Sequence, residues 1–476
     1  MNRLPPGAHF TSDIPARMDR LPWSAWHARV VVALGITWML DGLEVTLVGS
    51  VAPVLSEPDT LGLTDAQIGA AATAYLAGAV AGALVFGRLT DAFGRKRLFL
   101  VTLSIYAGAT FLSAFAWSFA SLAVLRALTG AGIGGEYSAV NSAIDELIPA
   151  RLRGRTDLLV NGTYWLGTAV GAVLTLVLLD PRVLPHVIGW RCVFFVGAVL
   201  GCVIMFLRHH VPESPRWLLL HGRVGEAESV TSLIERSVAA SRGGRLPPPG
   251  PPRELEAKGH VTFGAIARVL FRLYPRRTAL GLALMTAQAF AYNGVFFTYP
   301  LVLVRFHGVP PGRVGLYLIP FAIGNLLGPA VLGPLFDTVG RRPMIVATYG
   351  TSGVLLAAIG VALTQDVFTA TTQTVAWCVV FFVASAAASS AYLTVSEIFP
   401  VELRGMAIAV FFAVGTGAGG ALSPLLFGSL VQSGRPSSVA VGYYIAAALM
   451  LAAAAVAAWL GVVAERRSLE EITTDR

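Results

Sequence analysis

Two carboxylates three residues apart, Asp41 and Glu44, lie inside an apolar run covering about residues 30 to 55. A charged side chain near the centre of a bilayer costs about 3 kcal/mol or more, so such residues are functional candidates by default. Spacing of three on a helix sets both acids on one face. Two acids sharing a face in a low-dielectric setting can hold and release a proton. A later apolar run carries Arg126 and, ten residues on, Glu136. That spacing is about three helical turns, so the two lie roughly on one side. Glu136 is expected to face a cavity, with Arg126 nearer the end of the span. A bridge from Arg126 to Asp41 or Glu44 would act as a proton switch, because protonating the acid releases the arginine. Asp41, Glu44, Arg126 and Glu136 are the proton-coupling candidates.

Uncharged polar groups recur in the later part of the chain: Gln288, Tyr292, Asn293 and Asn325. With Tyr164 from the earlier part, these are candidates to orient a substrate through hydrogen bonds, although polar side chains within spans also join helix to helix. Tyr75, Trp38, Trp165 and Tyr392 are further candidates for cavity walls. The cysteines, Cys192, Cys202 and Cys378, all lie in apolar runs, which argues against a disulfide framework or a metal site. Histidines form no ligand cluster. No cofactor and no metal is expected, and no nucleophile–base pair or nucleotide-binding loop points to an enzyme or an ATP-driven pump.

Helices must hold these groups in a membrane. Of the 476 residues, 55% are hydrophobic and 13% charged, with a mean hydropathy of +0.68, more apolar surface than a soluble domain can bury. Runs of roughly 20 residues, enough to cross about 30 Å of hydrocarbon, fall at about 30 to 55, 66 to 87, 97 to 117, 119 to 144, 155 to 179 and 189 to 208. Six more fall at about 277 to 305, 313 to 336, 343 to 364, 370 to 395, 404 to 431 and 437 to 463. The net charge of +8 is carried by arginines at segment ends rather than in a patch, so it reports topology and not nucleic-acid binding. Arg88, Arg95, Arg97, Arg151, Arg153, Arg155, Arg341, Arg342 and Arg404 fall on one side with residues 209 to 275 and both tails. By the positive-inside rule that side is cytoplasmic. A cleaved signal peptide is not expected.

The chain repeats itself. Gly87, Leu89, Asp91, Gly94 and Arg95 return as Gly333, Leu335, Asp337, Gly340 and Arg341, each 246 positions later. Glu146, Pro149, Leu152, Arg153 and Gly154 return as Glu397, Pro400, Leu403, Arg404 and Gly405, 251 positions later. Two parallel halves follow. The expected organisation is an N-terminal tail over 1–29, a six-helix bundle over 30–208, a linker over 209–276 with an amphipathic helix at Gly225 to Val238 and a flexible Gly/Pro-rich piece at Gly243 to Pro252, a second bundle over 277–463, and a tail over 464–476. Glycine runs such as Gly130–Gly135 and Gly415–Gly420 lie within spans, where small residues let helices approach.

The motif at Gly87 to Arg97, read as a charged loop, together with its copy, Arg126 with Gly130, the Glu146–Gly154 element and Pro212-Glu213-Ser214-Pro215-Arg216-Trp217-Leu218 resemble the major facilitator superfamily. Within it they resemble the sugar porter group and its metabolite:proton symporter neighbours. The resemblance implies an all-α membrane protein of twelve helices in two six-helix bundles, alternating access and a monomer. Gly134-Gly135-Glu136-Tyr137 resembles an element of proton-coupled symporters, and Asp41-Gly42-x-Glu44 the acid pair of aromatic-acid symporters. Gln288 and Asn293 stand where sugar porters carry a Gln-Gln-x-x-Gly-x-Asn motif, but Ala287 and Ala291 depart from it. The resemblance also implies gating charges: Asp91 with Arg95, Asp337 with Arg341, and Glu146, Arg153, Glu213, Glu397 and Arg404 pairing across the halves when the cytoplasmic side is shut.

The expectation is therefore a secondary active transporter of a small polar metabolite, a sugar or an organic acid, driven by protons. Its partners are that substrate, protons and the lipid bilayer, with no nucleic acid. A drug or organic-cation exporter and a non-transporting nutrient sensor are the alternatives. With Lys96 and Lys258 the only lysines, the Arg-rich composition points to a bacterial cytoplasmic membrane.

Overall fold

The structure, a computed structural model, describes residues 9–149, 153–208, 212–241, 243–256, 268–399 and 404–461. Short elements come first: β1 (His9–Ser12) and α1 (Ile14–Asp19). Long helices follow as α2 (Ala25–Leu55), α3 (Asp65–Phe93), α4 (Arg95–Ser113), α5 (Phe119–Leu147), α6 (Arg153–Leu178) and α7 (His186–Arg208). A connecting region holds α8 (Pro215–Leu220), α9 (Val224–Ala240) and β2 (Arg253–Glu256). Then come α10 (Pro275–His307), α11 (Val314–Thr338), α12 (Arg341–Thr364), α13 (Ala370–Ile398), α14 (Arg404–Gly415), α15 (Leu422–Gln432) and α16 (Pro436–Leu460), with α14 and α15 joined through a π-helical turn at Thr416–Gly420.

Among the described residues, ten stretches are long and apolar enough to cross a membrane. They carry Val32, Phe206, Val331, Val379 and Trp459 exposed, which suits hydrocarbon and not water. α3 packs on α5, α2 on α6, α4 on α7, α11 on α13 and α12 on α16; α3 also meets α15, α6 meets α11, and α2 meets α10.

Glycine sets the closest approaches. A methyl at Gly78 would sit on the Ala127 carbonyl, and one at Gly130 on the Tyr75 carbonyl. Either would force α3 and α5 apart, so the Gly130–Gly135 run is a packing surface. Gly42 against the Tyr164 carbonyl and Gly167 against that of Met39 do the same for α2 and α6.

One expectation needs correction. The motif at Gly87 to Arg97 is not a loop: helix continues through Phe93 and resumes at Arg95, with Gly94 alone between. Gly94 (φ 95°) and its copy Gly340 (φ 116°) occupy the region closed to other residues, so one glycine makes each reversal. Within the N-terminal segment β1 pairs antiparallel with β2, His9 opposite Glu256 and Ser12 opposite Arg253. This two-stranded sheet is an addition to an otherwise helical chain among the described residues. α9 buries Ala227, Thr231, Ile234 and Val238, the stripe of an amphipathic helix. α1 is tied to it by ion pairs from Arg17 to Glu228 and Glu235, both 2.7 Å, and from Arg20 to Glu235, 2.5 Å.

Candidate functional site

α2 carries the acids past mid-length, where its close contact with α6 at Gly42 fixes its rotation. Glu44 and Arg126 meet there, with Arg126 Nη1 donating to Glu44 Oε1 at 2.5 Å. Each side chain is 1% exposed. Tyr106 from α4 donates its hydroxyl to Glu44 Oε2 at 3.2 Å. Arg126 Nη2 donates to Ser113 Oγ at 3.0 Å and Thr129 Oγ1 at 3.1 Å, and the guanidinium carbon lies 4.7 Å from the centre of the Phe194 ring. The arginine is thus gripped by α4, α5 and α7 as well as by the acid of α2.

Asp41 takes a different partner, the Tyr75 hydroxyl at 3.0 Å. The one-face spacing therefore leads the two acids to separate neighbours, Tyr75 of α3 for one and Tyr106 with Arg126 for the other. Glu136 is buried on α5, three turns beyond Arg126.

Next to Asp41 the walls are aromatic. Tyr164 and Trp165 of α6 meet edge to face at 4.9 Å between centroids. Trp165 lies 6.0 Å from Tyr292 and 6.4 Å from Phe296, both on α10, and Tyr75 lies 6.1 Å from Phe297. Tyr292 donates to Asn325 Oδ1 at 2.8 Å and packs edge-on against Phe381 at 4.8 Å. Tyr392 of α13 is 37% exposed.

Of the substrate candidates, Tyr164, Tyr292 and Asn325 come together around Trp165. Asn293 turns to its own helix, donating to the Ala289 carbonyl at 2.8 Å. Gln288 lies buried with Met285 Sδ 4.0 Å away. Tyr106, Ser113, Thr129 and Phe194 are functional neighbours that sequence reasoning missed; a tyrosine or a serine in an apolar run is too common to single out.

Among the gating candidates, Glu213 Oε2 accepts from the Lys96 backbone N–H at 3.2 Å, anchoring the connecting region to the first turn of α4. Arg341 opens α12 directly after Gly340. The side chains of Asp91, Arg95, Glu146, Arg153, Asp337, Glu397 and Arg404 lie outside the described residues.

A family profile described as "Sugar (and other) transporter" matches residues 33–475. The chain belongs to that transporter family. This transporter is 27% identical over 461 residues to the niacin transporter NiaP of Acinetobacter baylyi, spanning 97% of this chain and 99% of that one. It is 27% identical to the 4-hydroxybenzoate transporter PcaK of Pseudomonas putida, spanning 89% and 90%. In fold it resembles the xylose transporter XylE of E. coli in a partially occluded inward-open conformation, with a TM-score of 0.72 at 16% identity over 94% of this chain and 100% of that one. The transporter therefore has the fold of the major facilitator superfamily and is a multi-pass membrane protein rather than an enzyme.

Proposed function

We propose that this transporter carries a small aromatic carboxylic acid across the bacterial cytoplasmic membrane together with a proton. The reading takes α2–α7 and α10–α16 as twelve spans in two six-helix bundles, 30–208 and 277–463, with both termini and the 209–276 linker cytoplasmic by their arginines. The protein works as a monomer by alternating access.

The sealed pair of Glu44 and Arg126, with Glu44 on the same helix as an Asp41 bordered by aromatic rings, carries this reading. A proton arriving on Glu44 neutralises the carboxylate and removes the counter-charge of Arg126. The guanidinium meanwhile keeps the bonds of its Nη2 to Ser113 and Thr129 and its place over the face of Phe194; without them the buried cation would be costlier still to strand. α2 is then free to shift against α5, and loss of the proton on the other side restores the pair. The ring of the substrate suits Tyr164, Trp165 and Tyr292, and its polar groups suit the tyrosine hydroxyls, that of Tyr292 held in place by Asn325. The names of the relatives, niacin and 4-hydroxybenzoate transporters, agree with a ring-bearing acid. A hexose suits the site less, since Asn293 is spent on its own helix and Gln288 is buried against Met285.

The test is proton movement into proteoliposomes loaded with a pH dye, with nicotinate, 4-hydroxybenzoate, an aliphatic acid and a hexose added in turn. Ring acids should acidify the lumen, and Glu44→Gln should abolish that signal while retaining exchange of labelled for unlabelled substrate. Acidification by the hexose with silence for ring acids would overturn the substrate class, and a fully coupled Glu44→Gln protein the proton site.

A further inference from the structure

The sequence points to gating charges on the linker side alone. At the opposite end, where α3 begins and α10 finishes, the two halves are joined by a second set. Arg305 Nε and Nη2 donate to Asp65 Oδ2 at 3.0 Å and Oδ1 at 3.1 Å, a two-pronged grip whose planar geometry only arginine provides. Asp65 is 5% exposed and Arg305 47%. One residue on, the Ala66 backbone N–H donates to Gln432 Oε1 at 3.1 Å, tying α3 to the end of α15. Two turns deeper, Thr73 donates to the Ala421 carbonyl at 2.6 Å. Between these, Gly69 faces the Pro424 carbonyl and Gly428 that of Asp65, so no side chain separates the helices.

We infer that Asp65 and Arg305 are the positioning pair of the second gate, which holds the end remote from the linker shut. The bonds of Gln432 and Thr73 are made to backbone groups, and the glycine contacts are non-directional. The ion pair is the one charged link in this set, and it fastens the first turn of α3 to the last turn of α10. With Arg305 half in water the pair is screened by salt, a property suited to a contact that breaks in every cycle. On the topology proposed above this end faces outside; the pairing itself does not depend on the substrate.

The test uses the full chain with Cys192, Cys202 and Cys378 replaced by serine and Thr73→Cys as the single thiol, probed with a charged, membrane-impermeant thiol reagent. The reagent is applied to right-side-out cells and to inside-out vesicles. Labelling should be slow in the parent and at least tenfold faster in both Asp65→Asn and Arg305→Gln. The swap Asp65→Arg with Arg305→Asp should return it toward the slow rate. High salt should speed the parent and leave Asp65→Asn unchanged. Unfolding would also raise labelling, so each variant must keep the parent's size-exclusion profile, and the swap must rescue. Acceleration seen from inside-out vesicles would support the gate and overturn the topology. Unchanged labelling in both single variants, or a swap no slower than they are, overturns the inference.

Discussion

Arg126 keeps its charge inside apolar helices because four groups share it, and a lysine could not reproduce that sharing. An ammonium has no plane to lie over Phe194 and no fork to span Glu44, Ser113 and Thr129. Arg126→Lys should therefore lose proton-driven accumulation at least tenfold while substrate exchange continues, which counterflow against uphill uptake separates. Trp165 is expected to act on the substrate ring. Stacking contributes about 0.5–1.5 kcal/mol beyond buried area, so Trp165→Leu should raise KM for ring acids about tenfold and leave an aliphatic acid unaffected, as initial rates would show. Charge made Glu44 and Arg126 visible in the sequence, since few ionisable residues lie deep in the spans. The split of Asp41 to Tyr75 was not visible, because it depends on where α3 and α4 stand around α2, which local spacing cannot report. Asn293 shows the same limit: its residue type suggested a ligand, and its rotamer gave it to Ala289.

Helix contacts explain which substitutions the elements tolerate. Gly130→Val places a branched side chain on the Tyr75 carbonyl; overpacking of this kind costs about 1–3 kcal/mol. It should lower Tm in detergent by several degrees and displace Tyr75 from Asp41. Gly225→Ala on α9 meets open space and should be neutral or stabilising. The clamp from α1 to α9 has a pH signature. Burial raises the Glu235 carboxyl, but bonds from Arg17 and Arg20 outweigh it and hold the group below its ordinary 4.5. A depressed acid stabilises above its unfolded value and loses that contribution as pH falls through the folded one. Protease cleavage near residues 20 to 24 should then stay slow at neutral pH and speed up below about pH 4.5, with Glu235→Gln already fast at pH 7. Element bounds were readable to within a few residues wherever an apolar run ended in charge. They were misread where helix ran on through arginine, leucine and alanine, good helix formers that hydropathy alone excludes. The pairing of β1 with β2 escaped notice because four residues without alternation carry no strand signal.

At the scale of the whole molecule, the repeats at 246 and 251 positions made the two related halves legible, and the family profile over residues 33–475 agrees with one continuous transporter. What no repeat could reveal is how the halves meet. Asp65 and Arg305 lie at unlike positions of the two halves, since 246 residues beyond Asp65 stands Pro311, so the pair has no copy to betray it. β1 joins His9–Ser12 to Arg253–Glu256, on either side of the first six long helices. During synthesis that partner is made about 240 residues later. At roughly 5–20 residues per second the wait is on the order of tens of seconds. The first strand must remain unclaimed through the insertion of half a transporter, and its closure then marks, in time rather than in space, the moment the ribosome has passed from one half to the other.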